Sequence, residues 1–133
     1  MSRLVNFFIQ LPVNMRMLHW SNMLTSSGSA DTKCYIEVSH LCDAFLETYI
    51  KRYGKPKLSC GNNCIIKLTP MSETRVVHYY NKAIQFLEND IVKHIETNND
   101  ADLVAICCQI IARIKMLLIT CELKHASLDD DAD

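Results

Sequence analysis

Apolar residues recur at three- and four-residue intervals along most of this chain, and the pattern divides it into four helices. The first, predicted over 3–24, carries Leu4, Phe7, Phe8, Leu11, Met15 and Leu18 on one face, with Pro12 expected to kink or delay it. "SSGSAD" interrupts the pattern. A second helix is predicted over 31–53, capped by Asp31 and stopped by Gly54 ahead of Lys55 and Pro56. The third, over 71–97, starts behind the candidate cap Ser72 and shows Val76, Tyr80, Ile84, Leu87, Ile91 and Ile95 as its stripe until "TNND" ends it. The fourth is predicted over 101–124, after Asp100. "SLDDDAD" then reads as an acidic, disordered tail over 126–133, behind one domain over 1–125.

The connections are unequal. Short turns join helices one to two and three to four, which makes each pair an antiparallel hairpin. "GKPKLSCGNNCIIKLTP" separates helices two and three and is long enough to run the length of a bundle. The expected fold is all-α, a ferritin-like four-helix bundle with one long crossover between helices two and three. An up-down bundle with one extended loop is the alternative. A chain of 133 residues buries roughly two-thirds of its unfolded surface, so it should fold without a metal or a disulfide.

Composition narrows the function classes. With 14 basic and 15 acidic residues the formal charge is -1, which offers no general attraction to nucleic acid or an anionic membrane. Seven cysteines is an odd count, and Cys42, Cys107, Cys108 and Cys121 lie in apolar helical stretches. No signal peptide opens the sequence, so an intracellular, reducing compartment is expected, with the thiols acting as small apolar core residues. The run over 103–121 has the length of a membrane span, but Arg113 and Lys115 near its middle would each cost about 2.5–3.5 kcal/mol on insertion. It is read as a core helix.

Candidate chemistry lies on helices one and two. At about 100° per residue, Cys34, Val38, Leu41, Cys42, Phe45, Tyr49 and Tyr53 share the apolar face of helix two. His40, Asp43 and Glu47 fall nearly opposite, flanked by Ile36 and Ile50. That stripe is either a solvated face with a fortuitous acid pair or an inter-subunit seam whose carboxylates bind a cation or basic groups. His19, beside the chain's single Trp, is a hydrogen-bonded packing residue or a metal ligand. Cys60 and Cys64 in "CGNNC" lack the second ligand pair a structural zinc site needs, so free thiols are expected. His78, His94 and His125 are isolated, and no phosphate loop or nucleophile elbow is present.

"MLHWSN" followed by "DAFLE", 24 residues from His19 to Asp43, resembles the "HWQT...D-x-F-x-E" pattern of a ferritin-like family of large DNA viruses and bacteriophages, related to the Dps mini-ferritins. "YIKRYGKP" and "DADLVAI" extend the likeness over most of the chain. The resemblance implies a metal centre drawing on His19, Asp43 and Glu47. It also implies a second His and a further acid where this sequence has Gly28 and Thr32, and an acidic pair in helix four where it has Cys108 and Gln109. Asp31 is one residue out of register for the missing acid. A di-iron site needs several carboxylates as well as His, so the expectation is the outline of the site without its chemistry. The function expected is a non-catalytic structural or interaction protein, virus-encoded and virion-associated, with no cofactor and with a homodimer or another protein as partner. The alternatives are a Dps-like ferroxidase that binds iron and a DNA-associated Dps relative, the second opposed by the neutral charge.

Overall fold

The computed structural model of the chain describes residues 2–22, 28–54 and 73–131, with side chains placed over 3–20, 33–54 and 76–120. The described residues are helical throughout, apart from the turn over 97–100 and Gly54. The elements are α1 (Ser2–Asn22), α2 (Gly28–Tyr53), α3 (Glu73–Gln85), a π-helical stretch (Phe86–Val92), α4 (Lys93–Glu96) and α5 (Ala101–Asp131). Gln85 and Lys93 keep right-handed helical dihedrals on either side of the π stretch, so α3, the π stretch and α4 form one continuous third rod.

Most of the predicted stripe positions form the core, with Phe7, Cys34, Leu41 and Val76 packed against its edge and Tyr53, at the end of α2, exposed. Leu4, Phe8, Leu11, Met15 and Leu18 of α1 are buried, as are Val38, Cys42, Phe45 and Tyr49 of α2. Pro12 does not delay α1, which runs through it from Ser2. Its missing N–H leaves only the carbonyl of Phe8, four residues back, without a helical donor. Asp31, expected as a cap, lies inside α2, where an acid in the first turns is favoured by the helix dipole. Ser72 lies outside the described residues. Beyond Lys124 no Gly or Pro interrupts the chain, and α5 continues to Asp131 through most of the segment expected as a tail.

Helix ends follow local rules. Gly54 has φ 87° and donates its N–H to Ile50 O at 2.8 Å, the left-handed termination glycine allows without strain. Asn99, at φ 59°, plays the same part after α4, with Asn98 N–H bonded to Ile95 O at 3.1 Å. The carbonyl of Asp100 accepts from Val104 N–H at 3.0 Å and opens α5.

Cross-helix pairs fix the directions. Phe8 stacks on Phe45 and Arg16 bonds Tyr35, so α1 and α2 are antiparallel. Arg52 meets Asp100 while Glu37 meets Arg113, so α2 and α5 are antiparallel. Phe7 meets Phe86 and Asn14 meets Tyr79, which makes α1 antiparallel to the third rod. Consequently α2 and the third rod point the same way. α2 packs on α1 and α5, and α5 packs on the third rod as well.

Candidate functional site

The residues singled out on α1 and α2 are held at different heights in the bundle. His19 is half-buried, its ring beside that of Tyr35 at 6.3 Å between centroids. Arg16 covers the same Tyr35, with its guanidinium carbon 5.4 Å from the ring centre. Because α1 and α2 are antiparallel, His19 sits level with Tyr35. At about 1.5 Å per residue, Asp43 is then about 12 Å and Glu47 about 18 Å further along the axis. Both carboxylates are exposed. Among the described residues no three His, Cys, Asp or Glu side chains gather where they could hold one ion.

The rest of the predicted stripe faces outward as the helical wheel required. Ile36 is 46% exposed and His40 is exposed, while Ile50 is half-buried. Cys108, expected to pack in the core with Cys107, is instead exposed on α5 beside Gln109, about 100° round the helix from its buried neighbour. The side chains of Asp31, Thr32 and His125, and the whole of Cys60 and Cys64, lie outside the described residues, and Gly28 has no side chain to offer.

Burial makes two thiols inert. Cys42 is pushed up to about 12 by burial and, less, by Asp43 and Cys107; Cys107 is pushed up to about 12 by burial and then by Cys108. Neither forms a thiolate near neutral pH, so both pack as small apolar residues.

The polar cluster that the fold does assemble was not anticipated. At the end of α2, Arg52 donates through Nη1 to Asp100 Oδ1 at 2.6 Å and through Nη2 to Asp102 Oδ2 at 2.8 Å. Tyr53 donates its hydroxyl to the other oxygen of Asp100. The Asp100 side chain is 5% exposed, whereas that of Arg52 is 38% exposed. Asp102 also accepts from Leu103 N–H at 2.9 Å. The hydrogen bond to Asp100 raises the Tyr53 phenol, and burial with Asp100 nearby raises Tyr49. This clamp ties the C-terminus of α2 to the N-terminus of α5. Its parts were visible as "YIKRYG" and "DADL", two strings on separate helices whose pairing depends on helix direction.

The Arg52 hydrogen bond, with lesser help from Leu103 N–H, lowers Asp102 from its ordinary 3.8 to about 2. A lowered carboxylate stabilises the fold fully above its unfolded value, and that contribution fades as pH falls through the folded one. Asp102→Asn is therefore expected to lower the thermal midpoint above about pH 4, with the difference from wild type closing towards pH 2. Thermal melts followed by circular dichroism across that range check it. A difference that persists unchanged at pH 2 would assign the effect to packing.

No family model, curated protein or solved structure matches this chain. By length and composition Ala101–Thr120 could cross a membrane, and its inner face lines the core of the bundle.

Proposed function

We propose that this chain is a non-catalytic, ferritin-like structural or interaction protein, virus-encoded and virion-associated, that keeps the outline of a metal centre without its chemistry. The observation that carries the reading is the axial separation of His19 from Asp43 and Glu47, added to the non-ligating Gly28 and Thr32 and the outward-facing Cys108 and Gln109. The ferritin-like part rests on helix direction. α2 and the third rod point the same way, which supports a ferritin-like arrangement over an up-down bundle.

A Dps-like ferroxidase is the second reading, favoured by one feature: the acid pair is exposed, so His19 of another copy could approach it. Ferrous iron added under air separates the two. We expect the rate of ferric formation to equal that of buffer alone, with substoichiometric iron retained after anaerobic loading and desalting. Two irons retained per chain, or oxidation abolished by Glu47→Gln, would establish the ferroxidase instead.

A further inference from the structure

We infer that the outer face of α5 is a self-association seam, on which a second copy of this chain packs antiparallel about a two-fold axis at the level of Ile110. Opposite the buried side of this helix, Ala101, Ala105, Cys108, Ala112, Met116 and Ile119 are all exposed. Met116 at 63% and Ile119 at 56% are among the most exposed large apolar side chains described. Successive members of this row are four, three, four, four and three residues apart, which keeps them on one face along which another helix can pack lengthwise. The helix thus carries two apolar seams, and the described residues of one chain cover one.

Size and charge both select a second copy as the occupant. An antiparallel partner centred on Ile110 sets Ile119 against the partner's Ala101, Met116 beside the partner's Ala105, and Ala112 against the partner's Cys108. Each large side chain meets a small one, and the small central residues permit an interaxial distance of about 8 Å, at the close end of the usual range. The charges bordering the seam are already paired within the chain: Arg113 with Glu37 at 3.0 Å, Lys115 with Glu88 at 3.2 Å, and Asp102 with Arg52 at 2.8 Å. Thr120 returns its hydroxyl to Met116 O at 3.0 Å. A partner chosen by charge would find these groups engaged, whereas an identical apolar face needs none of them. A two-fold contact requires such a self-complementary surface.

The test uses the full chain. Ala112→Cys places a thiol opposite the partner's Cys108, and mild oxidation should yield a covalent dimer whose linked peptides, mapped by mass spectrometry, join positions 108 and 112. Cys108→Ser in that background should remove the link. Independently, Ala105→Glu with Ala112→Glu should weaken dimerisation at least tenfold in sedimentation equilibrium, with helical circular dichroism unchanged. Ile36→Lys with Ile50→Lys on α2 should leave this dimer intact. The inference is overturned by a wild type that stays monomeric at about 100 μM, whether residues 55–72 cover the seam or it binds phosphatidylcholine vesicles instead. It is equally overturned by a dimer lost to the α2 variant and indifferent to the α5 variant. Iron oxidation has no bearing on either readout, so this seam and the proposed function stand or fall separately.

Discussion

Truncating Phe45 to alanine is expected to destabilise the bundle by about 3–5 kcal/mol, a large part of the total stability of a domain this size. Phe45 is fully buried and stacks on Phe8 of α1 at 3.8 Å between ring centroids, and on Tyr49 one turn along α2 at 5.9 Å. The cost has two parts: the apolar surface of the ring returned to water, and the cavity left among side chains that cannot collapse into it. Collapse is limited here because Val38, Cys42 and Tyr49 are fixed on the same helix face and Phe8 is held against Phe7 edge-on at 5.5 Å. Urea unfolding followed by circular dichroism measures the loss, with the slope expected to stay constant. A loss below about 1 kcal/mol would mean that α1 and α2 do not meet at this level.

The core was legible because it depends on a short-range period. Leu4, Phe8, Leu11, Met15 and Leu18 are buried on α1, and Tyr80, Ile84, Leu87, Ile91 and Ile95 on the third rod, where the spacing put them. Stops written in single residues, such as Gly54 and the "TNND" turn, were legible for the same reason. The π stretch Phe86–Val92 was not, since its residues carry an unbroken helical pattern. Phe86 within it lies against Phe7 at 4.9 Å and under the guanidinium of Arg3 at 5.5 Å, contacts that belong to the packing of α1 on the third rod. The candidate site shows the same division. The wheel of α2 put His40, Asp43 and Glu47 outward correctly, but the height of His19 relative to them follows from how two antiparallel helices are set side by side. No spacing within one helix encodes that height.

The clamp at the other end of α2 is where the second large effect is expected. Asp100→Ala should cost about 2–3 kcal/mol, below the 3–5 typical of breaking a fully buried pair, because Arg52 is partly in water and keeps Asp102. Two donors converge on this carboxylate, Arg52 on one oxygen and Tyr53 on the other. Alanine removes both acceptors at once, whereas Asp100→Asn keeps one oxygen and should cost less. For a domain of this length the alanine variant should melt roughly 6–15 °C lower. The loss should also be local: amide exchange should quicken over 50–54 and 97–104 while the amides around Phe45 slow-exchange as before, since they open only with the core. A double-mutant cycle with Arg52→Ala isolates the pair, and a coupling of at least about 1 kcal/mol is expected. Were the two substitutions simply additive, Arg52 and Asp100 would each be acting through other neighbours, and the joining of α2 to α5 would rest on the apolar packing of the two helices in the common core.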